Sequence, residues 1–394
     1  MSVDTLAGTG DSLDRRTGEI IISADSHVTE PSDLWSTRMP ASMRDQVPTK
    51  NRSMYAKKTD ESAGQRTATA DGDAQYTTAV TANAEHRPLR WAEKGLGGVV
   101  GGQNPDERLH EMFYDGVSAE VLYPTKALAH FSIRDTAVQE AAFRVYNDWL
   151  LEYCSVCPER LVGLACISMW DIDHAIAEMK RCKEAGMRGV LIWMQPPAEL
   201  PFYADHYDRF YDAAQDIEMP LNLHITTGFH YLNDPRFREG IERVRGTTNQ
   251  KTMDAMNALY DFLFYGILHH RPNLKLVIVE AEIGWIPFML QQWDAYWRRN
   301  GAALGSPITR DPSEYWREQG YATFFDDPVG AHNFSRSGVD NYMWSSDFPH
   351  RNSPWPNSLK VIERDLGHLD PADRAKVLRD TVTKLYDLNV ETMR

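Results

Sequence analysis

Residues 161–194 read LVGLACISMWDIDHAIAEMKRCKEAGMRGVLIWM. Two apolar runs, 161–168 and 188–194, flank a stretch with helical spacing. Neither run alternates polar with apolar residues. Continuous apolar runs of this length suit strands buried on both faces of a parallel sheet. The stretch between them, 171–186, opens on Asp171, a good helix cap, and closes on Gly186, a common helix stop. The unit is therefore strand, helix, strand.

The same alternation recurs along the chain. Further candidate strands are 19–25, 119–124, 219–225, 274–282, 321–325 and 341–347. Further candidate helices are 135–154, 204–217, 252–270, 285–299 and 370–389. Eight strands interleaved with helices predict a (β/α)8 TIM barrel, with an open doubly wound sheet as the second choice. Residues 1–18 are polar and read as a flexible N-terminal arm, and 19–394 as one barrel domain. Residues 36–117 break the rhythm. They read as a long insertion after strand one, near the active-site mouth, where it could act as a lid. Within it, GLGGVVGG (95–102) lacks the Gly-Lys-Ser/Thr of a phosphate loop and reads as a flexible loop.

Composition excludes several classes. With 42 Lys+Arg against 56 Asp+Glu, the net charge of −14 leaves no basic footprint for nucleic acid. No run of apolar residues is long enough for a membrane span, and residues 1–19 lack an apolar signal core. A cytoplasmic location is expected. Cys154 and Cys157 form C-x-x-C, but Cys166 and Cys182 supply no second pair for a zinc knuckle, so all four read as structural thiols.

The strand ends carry the chemistry. In IISADSHVTEP (21–31), Asp25 and His27 are two apart, on one face of a strand. His224 ends strand five, Glu280 and Glu282 end strand six, and Asp347 ends strand eight. In a barrel these ends converge on one mouth. Two histidines and two carboxylates there suit one divalent cation with room for a water.

The D-x-H after strand one, the strand-five His and SSDFPH (345–350) together resemble the amidohydrolase superfamily. YNDWLLEYC, PERLVGLACI, AGMRGVLIW and HRPNLKLVI narrow the resemblance to its aminocarboxymuconate-semialdehyde and resorcylate decarboxylase-like branch. The resemblance implies that Asp25, His27, His224 and Asp347 hold one divalent metal, zinc ahead of manganese. It also implies a homodimer acting on a small molecule. The family's first ligand is often His or Glu; here it is Asp25. Its decarboxylases usually carry a proton-transferring His on strand six, where this chain has Glu280 in VEAEIGWIP.

Two enzymatic readings follow, with a non-catalytic barrel as the third. The first is a metal-dependent hydrolase of a small aromatic or hydrophobic carbonyl compound. In it, Asp347 takes a proton from a metal-activated water, and Glu280 or His350 assists the leaving group. The second is a non-oxidative decarboxylase, a carboxy-lyase of a small aromatic or unsaturated acid. Trp193, His230, Glu282, Trp285 and Asn352 are expected around the substrate, with Phe229, Trp355, Lys126, His130 and Arg351 nearby. Aromatic walls suit an aromatic substrate.

Overall fold

The structure is a computed structural model, and it describes residues 18–47, 101–229, 240–350 and 353–393. Eight parallel strands stand in sequence order: β1 (Ile22–His27), β2 (Ala119–Tyr123), β3 (Leu161–Cys166), β4 (Gly189–Gln195), β5 (Leu221–Gly228), β6 (Leu276–Val279), β7 (Gly320–Phe324) and β8 (Tyr342–Trp344). Beyond the end of β8 the chain closes onto β1. Asp347 N donates to Asp25 O at 2.9 Å and His27 N to Phe348 O at 2.7 Å. The barrel is thus joined at the residues that carry the chemistry.

Nearly every strand residue is buried, as expected for strands with helices outside and a packed lumen inside. The lumen is polar at the end away from the mouth. Asn222 Oδ1 accepts from Tyr123 OH at 2.8 Å and Tyr386 OH at 2.6 Å. Its Nδ2 donates to the carbonyls of Val190 and Pro220 at 3.1 and 3.2 Å. Asn222 and His224 are two apart on β5, so both face the lumen.

The expected helices form. Thr136–Cys154 and Ile172–Glu184 are capped by Asp135 and Asp171, whose side chains accept from Val138 N and His174 N. The expected helix over 370–389 is interrupted: a π turn, Lys376–Asp380, separates Pro371–Ala375 from Thr381–Tyr386. Helices Pro105–Asp115, Pro312–Gln319 and Ser358–Leu366 lie where no helix was expected.

The end of the glycine stretch is held down rather than loose. Gly101 N donates to Glu111 Oε2 at 3.0 Å, Tyr153 OH donates to Gly101 O, and Thr29 N donates to Gly102 O at 2.8 Å. The remainder of that stretch, residues 48–100 of the insertion, and the arm over 1–17 lie outside the described residues. All four cysteines are free thiols. Among the described residues no helix is long and apolar enough to cross a membrane.

Candidate metal centre and active site

The strand ends meet at one point. His27 and His224 face each other with their Nε2 atoms 3.2 Å apart. Each ring's other nitrogen touches a backbone carbonyl: His27 Nδ1 is 2.7 Å from Pro124 O, and His224 Nδ1 is 2.7 Å from Ile225 O. A carbonyl can only accept, so both Nδ1 atoms carry the hydrogen. Both Nε2 atoms thereby face the shared point, as in histidines that ligate metals.

Carboxylates complete the shell. Asp25 Oδ1 lies 3.5 Å from His27 Nε2 and 4.0 Å from His224 Nε2. Glu280 Oε2 lies 3.1 Å from His224 Nε2, and Asp347 Oδ1 lies 3.4 Å from His27 Nε2. Asp25, His27, His224 and Glu280 form one potential ligand set, and His27, Glu280, Asp347 and His350 an overlapping one, with ligand atoms in each within 4.8 Å of one another. Three of the four expected ligands thus group with Glu280, expected as a proton carrier. Asp347, the fourth, groups with His27, Glu280 and His350.

The electrostatics fit a cation. Both Asp25 oxygens are buried without a hydrogen-bond partner. Burial pushes Asp25 and Asp347 well above the ordinary carboxylate range. Burial pulls His27 well down, which keeps it neutral and able to ligate. Burial also works against charge on His224, but the adjacent Glu280 carboxylate outweighs it and holds that imidazole up at about 9. Three carboxylates buried around two imidazoles need compensating positive charge, and the mixed N/O donors suit one divalent ion.

Backbone strain gathers here. Thr226, Glu280, Glu282 and Asp347 have φ of 65, 59, 55 and 50°, in the left-handed region that non-glycine residues seldom occupy. Such strain clusters at functional sites. Only Glu280 joins the ligand cluster; Glu282, two residues on, does not. β6 ends at Val279, so strand alternation no longer governs either residue.

Glu282 instead lines a cavity of about 530 Å³ with Thr247, Thr248, Lys251, Thr252, Gly284 and Trp285. Its Oε2 is buried without a hydrogen-bond partner. Burial, the largest influence, pushes its carboxyl up to about 7. His350 stacks on His27 at 3.7 Å, and its nitrogens lie 2.8 Å from Asp347 Oδ1 and 3.0 Å from Thr125 Oγ1. Like Asp25, Asp347 nonetheless keeps both carboxylate oxygens buried without a hydrogen-bond partner.

Several expected mouth residues are packing residues. Trp193 is fully buried against Trp170, Tyr207 and Phe229. Trp355 is buried and donates to Glu111 O at 3.1 Å. Lys126 Nζ donates to Glu30 O at 2.6 Å, and His130 is buried edge-on against Trp35. His230, Arg351 and Asn352 lie outside the described residues. Lys251 was missed. It lies in a stretch with ordinary helical spacing, and nothing local in the sequence marks it.

Residues 113–388 match the sequence profile of the amidohydrolase family. The chain belongs to the amidohydrolase family. It is therefore an enzyme by descent, and the barrel is that family's scaffold. Among its relatives is a gamma-resorcylate decarboxylase of Rhizobium sp., 24% identical over 299 residues, covering 72% of this chain and 87% of the relative. Among solved structures, a 5-carboxyvanillate decarboxylase of Novosphingobium aromaticivorans, complexed with manganese, superposes with TM-score 0.68 at 16% identity, over 96% of this chain and 100% of the other. An amidohydrolase of Mycobacterium avium subsp. paratuberculosis superposes with TM-score 0.70 at 18% identity, over 93% of this chain and 99% of the other. These structural likenesses establish the shared barrel.

Proposed function

We propose that this amidohydrolase-family enzyme is a manganese-dependent, non-oxidative decarboxylase of hydroxyaryl carboxylic acids. Of the two enzymatic readings, the second is the better supported. The observation that carries it is the meeting of His27 and His224 Nε2 atoms beside the unpartnered Asp25, next to a cavity holding Glu282. The gamma-resorcylate decarboxylase relatives supply the reaction class. The manganese-bound decarboxylase structures favour manganese over the zinc placed first from the sequence.

In this reading Asp25, His27, His224 and Glu280 would hold the ion, with Asp347 and His350 beside them. The ion supplies positive charge that steadies an anionic substrate. Trp285 gives the ring an apolar wall. Glu282 carries the proton: it passes to the ring carbon that bears the carboxylate. The bond from that carbon to the carboxylate then breaks. Its electron pair restores the ring, and carbon dioxide leaves. We also propose a homodimer, because the outer helices leave large apolar side chains in water, among them Ile241, Tyr260, Phe288 and Tyr296.

The test is carbon dioxide release from 2,6-dihydroxybenzoate and 5-carboxyvanillate by manganese-loaded protein. Release is expected, falling about 10²- to 10⁴-fold in Glu282→Gln with metal content unchanged. In His224→Ala both metal and release are expected to be lost. Full metal loading with no release from any hydroxybenzoate, together with hydrolysis of an amide or lactone, would return the hydrolase reading to first place.

A further inference from the structure

The cavity beside the metal centre has a donor inventory that points to a particular kind of substrate. Its threonine hydroxyls are committed to the helix backbone. Thr247 Oγ1 donates to Val244 O at 3.1 Å, Thr248 Oγ1 to Val244 O at 2.8 Å, and Thr252 Oγ1 to Thr248 O at 3.3 Å. Trp285 Nε1 donates to Ala281 O at 3.0 Å. The cavity's aspartates are committed as well. Asp327 accepts from Ile283, Gly284 and Gly330 N, and Asp326 pairs with Arg364 at 2.6 Å.

One donor is left. Among the described residues, the Lys251 ammonium makes no hydrogen bond or ion pair. It is partly buried on the cavity wall, where its charge acts on Glu280, Glu282 and Asp347. It also lines the small neighbouring pocket bounded by Gln195, Thr226 and Asp254.

The local backbone places it there. Lys251 opens the helix Lys251–Phe264 directly after a π turn, Gly246–Gln250. A π turn re-aims the residues around it and is found often at functional sites. Here it brings Thr247, Thr248, Lys251 and Thr252 to one wall.

A partly buried ammonium on a cavity wall, with no hydrogen-bonded carboxylate among the described residues, is placed to meet an anion. The carboxylate that is lost has the metal centre to receive it. A cavity of about 530 Å³ has room for a ring with further substituents. We propose that Lys251 is a specificity residue that receives a second acidic group on the substrate, distal to the carboxylate that is lost. The enzyme's preferred substrates are then phenolic diacids rather than simple hydroxybenzoates. This rests on the decarboxylase reading and narrows it.

The test compares two inert probes by calorimetry on the manganese-loaded protein, at a pH where both phenols are ionised. In 2-nitrophenol the nitro group stands in for the carboxylate that is lost. In 4-hydroxy-3-nitrobenzoate the same head carries a distal carboxylate. Wild type is expected to bind the benzoate at least about tenfold more tightly, as a charge-assisted contact provides. Lys251→Met should bring the two probes to parity while the protein still folds and loads manganese. Lys251→Arg should keep the preference. Parity in wild type, or a preference that survives Lys251→Met, would overturn the role of Lys251 and leave the decarboxylase reading standing. Failure of the loaded enzyme to bind either probe would overturn both.

Discussion

A buried arginine holds two ligand-bearing turns together. Arg108 Nη1 donates to His27 O at 2.8 Å, Nη2 donates to Phe348 O at 3.3 Å, and Nε pairs with the buried Glu120. Glu120 in turn accepts from Ser26 Oγ at 3.0 Å, and Ser26 and Ser23 reach Ser346 at 2.9 and 3.2 Å. The turn after β1 and the turn after β8 are thus tied beneath the metal centre, and Arg108 is a positioning residue. Arg108→Met leaves Glu120 charged and buried without its partner. Such losses cost about 3–5 kcal/mol, read as a lowered unfolding midpoint in urea. Manganese affinity should fall about 10- to 100-fold, the usual effect of losing support behind a ligand. Adding Glu120→Leu should recover much of the stability but not the affinity, because His27 O and Phe348 O remain without their clamp. If affinity recovers along with stability, Arg108 contributes to the fold alone.

At the scale of elements, the strands were legible because each is a short apolar run buried on both faces. The short run 321–325 stands as β7 at Gly320–Phe324. His224 was legible because it lies in register on β5, where the period of two fixes its direction. Asp25 and His27 were legible as residue types at the end of β1, although that strand shifts register between Ser23 and Ser26. Past the last strand residue that rule stops. Glu280 and Glu282 sit in left-handed conformations beyond β6, so their division between cluster and cavity could not be read from spacing. Lys251 depends on a π turn, and the clamp on Arg108 depends on a helix inside a polar insertion. Both are tertiary outcomes with no local signature.

The helix that carries Lys251 holds a second acid with a testable consequence. Asp261 lies in its last turn, where the helix dipole disfavours negative charge. Burial raises its carboxyl to about 6. A raised carboxyl binds its proton more tightly in the folded state. Its contribution is therefore favourable at low pH and is lost as pH rises from the ordinary value near 3.8 to about 6. Asp261→Asn should flatten the pH dependence of the melting temperature across that window. Because the group is partly exposed, the gain at pH 7 should be about 1 kcal/mol. An unchanged slope between pH 4 and 6 would count against this account.

At the scale of the whole molecule, the barrel places all its chemistry at one end and leaves its outer helices to face water. The region after β5 and β6 exposes large apolar side chains. Ile241 is 76% exposed and Phe288 62%, with Val244, Met253 and Tyr296 about half exposed. Tyr260, itself 37% exposed, packs on Trp293 with ring centroids 5.9 Å apart, which joins the helices Lys251–Phe264 and Ile286–Leu304. Large apolar side chains gathered on neighbouring helices mark an interface, and a stable one buries about 800 Å² on each partner. A two-fold dimer would place the same face against itself. Light scattering on wild type should give twice the chain mass of 45.0 kDa. Phe288→Asp with Ile241→Asp should give a single chain, because two new charges would face each other across the axis. A monomeric wild type would end this proposal while leaving the metal centre untouched, since every candidate ligand described comes from a single chain.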